Sequence, residues 1–535
     1  MAAWPSPSST PAGCRWAGGS VADLLQVGDL REVARLDLLD LLDRMTGTKV
    51  LVWDSALTGP LGLIAEYQHL KEHDVVKMHP LERGALPPVS ADNVVFLSRP
   101  ELANMDTIAE NIRQEERGGG SGVRTEFHIV FVPRKSLLCE KRLVECGVLG
   151  SLTCYSLPVY LFPLDTDLLS MELPSAYRDV VRGDPTALHH AATALTRLQA
   201  VTGTIPKIFG KGAAAAQVFD LMTRQKREAC GRTAQVRSQI DTLVILDRAV
   251  DLVSPLPIQL TYEGLIDEMF GVQCATVRLP GEPPREIRLS SAEELYAELR
   301  GLNFNAVGPS LARKARGLAV QEGERHEARN VRELKQFVDK LPGMQAAKAS
   351  LATHTTVAEL VKERIDGEEF RPALELEQFI LEGGAGDGYL EQVEDLVLGT
   401  NTTLPRVLRL ICLQSVVNSG LKPRVLEQYR RLVLQGFGYG HLLTLDRLAE
   451  AGLLTQASGG RPAYTILRKR LSLILDNVDE QCPADIAYVH SVYAPLSVRL
   501  VQQLERPGWR NLRDVLDLLP GPSFEDTQQV AGPRA

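Results

Sequence analysis

The sequence predicts two α/β domains joined to one large helical domain. Two observations support this fold class. Between residue 29 and about residue 150, helical periodicity alternates with short apolar strands, which is typical of a parallel sheet with helices on both faces. From residue 291 to residue 477, nearly every periodic segment has the spacing of a helix. The length of 535 residues allows three or four domains, in agreement with this division.

The first α/β domain is expected over residues 27–150. It follows an N-terminal tail, residues 1–26, whose Pro, Ser and Gly content predicts disorder. A helical pattern at residues 30–42 leads to the strand KVLVW, and a helix follows from about residue 61. Further strands are expected near residues 75–78, 94–97 and 127–132.

The second α/β domain is expected to be discontinuous, over residues 151–250 and 480–524. The helical domain would occupy residues 251–479, and residues 525–535 would form a polar tail. Asp184 and Pro185 predict a helix start in the second domain, with Asp as the N-cap and Pro in the first turn.

The crossing from the second domain into the helical domain is marked by a cluster of charges. An apolar run at residues 243–246 predicts a buried parallel strand, and Asp247, Arg248 and then Asp251 follow it. Ligands in open α/β sheets bind at the carboxyl ends of strands, so one interpretation is catalysis or binding. The other is a structural network of ion pairs and hydrogen bonds, because an Arg side chain can hold two carboxylates. No base, nucleophile or metal set accompanies the three residues, which favours the structural network.

Several longer motifs carry a family resemblance. They are LDR followed by QLTYEGLIDE, VWDSALTGPLGLIAEY, FHIVFVPRKSLLCEKRL, GTIPKIFGKG, ELYAELRGLNFNAVG, LRLICLQSVVNSGL and YAPLSVRLVQQL. With these motifs, over about residues 27 to 524, the chain resembles the SM (Sec/Munc-type) family of syntaxin-binding proteins, and within it the vacuolar protein sorting subclass. The resemblance implies an arch in which the C-terminal segment completes the second α/β domain. In the family a further apolar strand and helix stand where this chain has the polar tail QQVAGPRA, so a C-terminal strand and helix are expected to be missing and a sheet edge to be open.

Composition restricts the classes of function. The net charge of −8 and the lack of a long basic tract argue against nucleic-acid binding. No apolar run approaches the 18 residues of a membrane span, and the N-terminal residues lack the apolar core of a signal peptide. Eight scattered cysteines predict reduced thiols in the cytosol.

Two patterns suggest a metal or nucleotide enzyme, and neither is complete. His69 and His73 have the H-x-x-E-H spacing of zinc peptidases, but no third ligand is evident. The segment GTIPKIFGKG lacks the first glycine and the hydroxyl residue of a phosphate-binding loop, so a turn between helices is the favoured interpretation. We therefore predict no catalytic residue, no metal site and no cofactor, and keep a nucleotide- or metal-dependent hydrolase on a doubly wound fold as the alternative.

A basic surface is predicted on a helical hairpin at residues 303–341 that turns near Gly323. Its cationic side chains stand out in an acidic chain and suit acidic amphipathic helices. The resemblance implies that this hairpin, with the cleft facing the first domain, binds SNARE helices of the syntaxin type and the R type. The predicted contact residues are Arg313, Lys314, Arg316, Arg325, Lys335 and Phe337. The alternative is a solvated helix face.

A second surface is predicted where glycines alternate with aromatic residues, in QGFGYGHLLTL. The resemblance implies that the vacuolar subclass binds a helical tether subunit of the HOPS and CORVET complexes. Tyr439 and Leu442, with Arg430, are assigned to that contact, since exposed aromatic residues are typical interface anchors. The competing interpretation is that Phe437 belongs to the core of its own domain.

Together these features predict a non-enzymatic fusion factor that aligns SNARE helices from two membranes. The resemblance places it in the cytoplasm, peripherally on late endosomes, lysosomes and early endosomes through its partners. A tether scaffold without SNARE binding is the remaining alternative.

Overall fold

The structure is a computed structural model. It describes residues 27–84, 86–87, 91–118, 125–228, 238–327, 331–367, 370–383, 388–399, 402–457, 459, 462–504 and 509–528. Among these residues, no helix is both long and apolar enough to cross a membrane.

The first sheet has five parallel strands in the order β2-β1-β3-β4-β5. The strands are β1 (Lys49–Trp53), β2 (Val75–Pro80), β3 (Asn93–Ser98), β4 (Glu126–Phe131) and β5 (Leu152–Ser156). The surrounding helices are α1 (Val27–Asp43), α2 (Ser55–Ile64), α3 (Tyr67–Glu72), α4 (Leu102–Gly118) and α5 (Leu137–Glu145). One hydrophobic core lies between the sheet and α1 and α2, and a second lies between the sheet and α4 and α5. Both faces are therefore covered, as the apolar runs of β1 and β3 predict.

The boundary expected at residue 151 is wrong in one respect. Strand β5 pairs with β4 over five residues and completes the first sheet, so this sheet continues to Ser156. The residues of β5 are only partly buried, because β5 is an edge strand. Its sequence, LTCYS, therefore lacks the apolar run by which the inner strands were recognised.

The second sheet is mixed, and the C-terminal segment supplies one strand. Its strands are β8 (Lys207–Lys211), β9 (Thr242–Leu246) and β13 (Ser523–Thr527), in the order β13-β8-β9. Strand β9 is parallel to β8, whereas β13 is antiparallel. The second sheet was expected to be parallel, and the antiparallel strand β13 corrects that detail. Residues 529–535, where a further strand and helix were expected to be missing, lie outside the described residues. The sequence SFEDT contains one apolar residue, Phe524, and so gave no strand signal.

A short hairpin and two helices lie between β5 and β8, and a third helix links β8 to β9. They are β6 (Phe162–Asp165), β7 (Leu168–Ser170), α6 (Ala176–Val181), α7 (Thr186–Thr202) and α8 (Ala213–Glu228). The segment GTIPKIFGKG contains β8 and leads through Gly212 into α8, so its interpretation as a turn between helices is wrong. The two apolar residues of β8, Ile208 and Phe209, are buried in the second sheet.

The rest of the chain is mainly helical. Its helices are α9 (Tyr262–Phe270), α10 (Glu294–Leu299), α11 (Phe304–Glu327), α12 (Val331–Ile365), α13 (Phe370–Leu381), α14 (Gly388–Leu398), α15 (Leu404–Val417), α16 (Pro423–Phe437), α17 (Leu442–Glu450), α18 (Ala463–Arg470), α19 (Leu496–Gln502) and α20 (Arg513–Leu516). Helix α11 continues through Gly323, so the expectation of a turn at this residue is wrong. A small antiparallel sheet was not predicted, because its strands are short and rich in charge: β10 (Val272–Gln273), β11 (Thr276–Leu279) and β12 (Arg285–Arg288).

Two separate cores divide the helical region. Helices α9 to α12 and the small sheet pack around one core. Helices α13 to α19 pack around another, which also contains Phe209 of β8 and Val250 and Val253 of the crossing. The second sheet and the later helices are therefore one packing unit.

Candidate functional site

The carboxylate of Asp247 holds the amino end of α8. Its Oδ2 accepts a hydrogen bond from the Ala214 amide at 2.9 Å, and its Oδ1 accepts one from the Ala249 amide at 3.0 Å. A phosphate bound after β8 would need these amino-terminal donors of α8. Because an anionic side chain already occupies this position, the geometry disfavours nucleotide binding here.

Arg248 and Asp251 take part in hydrogen bonds and not in the expected ion pair with each other. Nη1 of Arg248 donates to the backbone carbonyl of Asp251 at 3.2 Å. The Asp251 side chain is 3% exposed and accepts from the Ser254 amide, the Ser254 hydroxyl and the Ser497 amide at 2.9, 2.5 and 2.8 Å. Asp251 thus joins the crossing to α19. These contacts favour a structural interpretation of Asp247, Arg248 and Asp251.

The crevice of the first sheet is filled by its own side chains. The strand order reverses between β1 and β3, the point at which doubly wound folds bind ligands. Here Asp54, which is buried, accepts hydrogen bonds from the Arg99 amide at 3.1 Å and from the Asn104 side chain at 2.8 Å. Burial lowers the pKa of Arg99, whose Nη2 donates to the Glu172 carbonyl at 2.7 Å. In this crevice the polar groups of Asp54 and Arg99 are therefore already paired within the described part of the chain.

The two histidines with zinc-peptidase spacing do not share a metal site in the structure. Helix α3 ends at Glu72, and Nδ1 of His73 lies 2.6 Å from the Asp43 carboxylate. In the described part of the chain, no group of three or more His, Cys, Asp or Glu side chains is placed to hold a metal ion.

A cleft of about 420 Å³ lies at the outer edge of the first sheet, and sequence analysis did not identify it. It is lined by Trp53 at the end of β1, Ala65 after α2, Tyr67 at the start of α3, and Met78 and Pro80 of β2. Tyr67 and Met78 remain exposed although they are apolar over most of their surface. We call this surface the first-domain cleft. The apolar residues of VVKMHP were the available signal, but their exposure follows from the position of β2 at the sheet edge.

A second cleft, of about 480 Å³, lies between α10, α11 and α12. Its lining includes Arg313, Lys314, Gly317, Ala347 and Ser350, and we call it the hairpin groove. The small side chains on α11 and α12 leave room for another helix to approach closely.

The structure brings three of the six predicted SNARE contacts together on α11. Nζ of Lys314 lies 2.6 Å from Glu298 and 3.4 Å from Glu294 of α10, which raises the pKa of this lysine. Arg313 donates to the Ser310 hydroxyl at 3.3 Å, and Arg316 is exposed. The pairing of Lys314 with two glutamates makes this surface less basic than the sequence suggests. The side chains of the other three predicted contacts, Arg325, Lys335 and Phe337, lie outside the described residues.

A buried chain of hydrogen bonds holds α12 behind the hairpin groove. The Tyr262 hydroxyl lies 2.9 Å from Nδ1 of His354, and Nε2 of His354 lies 3.2 Å from Glu293, which also accepts from the Ser350 hydroxyl. Burial lowers the pKa of His354 and raises that of Tyr262. The neutral imidazole therefore fixes the position of α12 against α9 and α10.

The β6–β7 hairpin, whose Phe162 packs into a core of the first sheet, is joined to the helical region at Arg300. This side chain donates to Asp165 and Asp167 of the β6–β7 hairpin at 2.9 Å each and to Glu263 of α9 at 3.1 Å. Asp165 also accepts from the amide and the hydroxyl of Ser291. These bonds set the position of the helical region relative to the first-domain cleft.

The three predicted tether contacts lie on consecutive elements: Arg430 within α16, Tyr439 in the turn that follows it, and Leu442 at the start of α17. Nη2 of Arg430 is 3.6 Å from Asp446 of α17. Tyr439 is 76% exposed and Leu442 is 50% exposed, and Leu443 beside them is exposed as well. Phe437 packs partly buried against the neighbouring core, as its competing interpretation expected. The exposed apolar side chains form a surface that we call the α16–α17 corner.

Comparison with known proteins identifies the family. The sequence profile described as the Sec1 family matches residues 49–535. The chain is 50% identical to vacuolar protein sorting-associated protein 33A of Rattus norvegicus, over 94% of this chain and 86% of the relative. It is 38% identical to the protein of the same name from Drosophila melanogaster, with the same shares covered.

Solved structures with the same fold are SM proteins. The SM protein Vps45 in complex with the Qa SNARE Tlg2 superposes with a TM-score of 0.57 at 16% identity, over 90% of this chain and 87% of that one. The Unc18–syntaxin 1 complex from Monosiga brevicollis superposes with a TM-score of 0.57 at 16% identity. The match covers 89% of this chain and 86% of that one. The expected fold class and the resemblance seen in the motifs are confirmed, and this chain belongs to the Sec1 family.

Proposed function

We propose that this chain is the SM-type, SNARE-binding subunit of the HOPS and CORVET tethering complexes. In this role it promotes SNARE assembly during fusion between endosomes and lysosomes. The observation that carries the proposal is the 50% identity to a vacuolar protein sorting-associated protein 33A over nearly the whole chain. Structural relatives named as complexes with a Qa SNARE and with syntaxin 1 support the same class of ligand.

The first-domain cleft and the hairpin groove are the two proposed SNARE surfaces. The cleft offers exposed apolar side chains, and the groove offers small residues flanked by charges of both signs. Amphipathic helices are recognised by such combinations of apolar contact and charge. Holding a syntaxin-type and an R-type helix side by side would remove part of the entropy lost when they assemble. No step in this mechanism makes or breaks a covalent bond.

One substitution tests whether the first-domain cleft binds a SNARE helix. We expect Met78→Glu to weaken binding of a syntaxin-type SNARE fragment at least about tenfold, since an unpaired carboxylate would have to be desolvated in the contact. Isothermal titration calorimetry on the purified chain measures this affinity. Leu102→Glu, at an exposed position on α4, is the matched control. Equal affinities of the two variants would contradict the assignment.

The α16–α17 corner is the proposed surface for the helical tether subunit. It exposes Tyr439 and Leu442 beside Arg430, a combination of aromatic, aliphatic and cationic groups typical of interface centres. Peripheral location on late endosomes, lysosomes and early endosomes would follow from this contact.

A Tyr439→Ala, Leu442→Ser double variant tests this surface. We expect it to lose co-purification with HOPS and CORVET subunits from cells while keeping its affinity for SNARE fragments. Leu102→Ser should keep both. Retention of the tether by the double variant would refute the tether surface without affecting the SNARE proposal, and a bound tether without any SNARE affinity would select the scaffold alternative.

A further inference from the structure

Helix α5 exposes an apolar face that none of the functions above uses. Leu137 and Leu138, its first two residues, are 77% and 65% exposed, and Val144 is 59% exposed. The opposite face, with Cys139 and Leu143, is buried against the first sheet. Positions 137, 141 and 144 share one face of a helix, so the exposed apolar residues and Lys141 form one continuous surface.

Several cationic residues lie close in sequence to this surface. Residues 133–145 contain four cationic and two anionic side chains, in a chain whose formal net charge is −8. Lys135 pairs with Glu140 at 3.1 Å, and Arg142 pairs with Asp106 and Glu145 at 2.6 and 3.1 Å. Arg134 and Lys141 are exposed and make no ion pair with any residue that the structure describes. Their charge is therefore available to an anionic partner.

The shape of the surface distinguishes between kinds of partner. A groove that binds a peptide half-buries its own apolar side chains between walls, as the first-domain cleft does with Tyr67 and Met78. Leu137 and Leu138 instead project from the first turn of a helix with most of their surface in water. Protruding leucines flanked by lysine and arginine suit a deformable interface into which they can insert.

We propose that the amino-terminal end of α5 is a membrane-contact site for anionic lipid surfaces. Leu137 and Leu138 insert at the level of the headgroups, and Arg134 and Lys141 lie against the lipid phosphates and carboxylates. Two leucines and two cations give weak and reversible binding, comparable to a single lipid anchor that needs a second attachment. Because the chain as a whole is acidic, an anionic membrane repels most of its surface, and the α5 face becomes the preferred orientation.

Flotation of the purified chain with vesicles tests this site. We expect binding to vesicles of phosphatidylcholine that contain roughly one third phosphatidylserine to make the surface anionic, little binding to phosphatidylcholine alone, and weaker binding at high salt. Leu137→Ser with Leu138→Ser should reduce the bound fraction at least about fivefold, and Arg134→Glu or Lys141→Glu about fivefold each.

Leu398→Ser is the matched control, since Leu398 is 78% exposed at the end of α14. It should bind anionic vesicles like the unchanged chain. The proposal is overturned if the unchanged chain does not bind anionic vesicles, or if the leucine variant binds them equally well. It is also overturned if the leucines prove necessary only for capture of a protein or peptide. Circular dichroism of each variant verifies the fold, and neither result depends on SNARE or tether binding.

Discussion

The two sheets of this molecule are completed in different ways. The first sheet is built from one continuous stretch, from Lys49 to Ser156, and its two cores come from helices within and next to that stretch. The second sheet combines β8 and β9 with β13, which lies almost at the end of the described chain. Its core is shared with helices α13 to α19. The first domain can therefore form from local sequence, whereas the second needs contacts between distant segments.

The largest expected effect is at Asp251, which ties the crossing to α19. We expect Asp251→Ala to lower the free energy of unfolding by about 3–5 kcal/mol, because three partly buried donors lose a charged acceptor that is itself buried. Asp54→Ala, in the first sheet, is the matched variant, since Asp54 is also buried and accepts from three donors.

Limited proteolysis separates the two variants. Asp251→Ala should first be cut in the C-terminal segment, and Asp54→Ala within the first domain. If both variants were cut at the same positions, the two sheets would not be independent as the comparison requires.

The second prediction concerns pH and the crossing segment. Glu377 of α13 accepts a hydrogen bond from the Ile258 amide at 2.8 Å, and burial raises the pKa of this carboxyl group from 4.5 to about 8. Between these values the folded chain keeps a proton that the unfolded chain has lost, so stability decreases as the pH rises from about 4.5 to about 8. Glu377→Gln should remove this decrease, on the order of 3 kcal/mol between pH 5 and pH 7.5.

Denaturant unfolding at the two pH values measures the difference. The exposed Glu375 on the same helix provides the control, and Glu375→Gln should leave the pH dependence of stability unchanged.

His490 changes the stability with pH in the opposite direction to Glu377. Its Nδ1 lies 2.8 Å from the Ile258 carbonyl. Burial lowers its pKa from 6.5 to about 4, so its neutral folded form costs stability as the pH falls through this interval. An unchanged slope in Glu377→Gln would contradict the first assignment.

Strand β13 provides a third and smaller test. A Cβ atom at Gly210 of β8 would overlap the ring of Phe524. This ring also stacks on the ring of Phe219 in α8, with 4.8 Å between the two ring centroids. We expect Gly210→Ala to displace β13 and to cost about 1–3 kcal/mol. Hydrogen exchange should show faster exchange in β13 and in the facing edge of β8, with the first sheet unaffected. Unchanged protection of β13 would show that the strand is held mainly by other contacts.

The smallest expected effect is at Asp247. Asp247→Ala removes the acceptor of the Ala214 and Ala249 amides and should cost about 1–2 kcal/mol, as for other helix caps. Thermal unfolding followed by circular dichroism measures the loss. Asp247→Asn keeps an acceptor oxygen and should recover most of it. If both variants were equally destabilised, the negative charge itself would be required.

Much of the fold could be predicted from the sequence, for identifiable reasons. Strands β1, β3 and β4 are buried on both faces and therefore appear as apolar runs, and the long helices appear through their periodicity. Strand β13 could not be predicted in this way, because SFEDT is held by pairing with β8 and by one ring, Phe524. The shared core of the second sheet and the later helices also depends on contacts that no local pattern encodes.

The candidate sites were predictable to different degrees. The α16–α17 corner lies within one short segment, so its aromatic and glycine pattern could be recognised in the sequence, while its role as a tether contact was inferred from the family resemblance. The ion pairs of Lys314 could not be predicted from the sequence, because Glu294 and Glu298 belong to another helix. The first-domain cleft was missed for a similar reason, since β1, α3 and β2 contribute to it separately.

One contact between the first domain and the helical region restricts which substitutions this chain can accept during evolution. A side chain at Gly59 of α2 would place its Cβ 2.6 Å from the sulfur of Cys274, a residue with a left-handed backbone (φ 49°) beside β11. A larger residue at position 59 is therefore tolerable only if position 274 becomes smaller or its loop moves. The two positions should be inherited as a pair, and chimaeras that exchange either segment alone with a relative should misalign the joint.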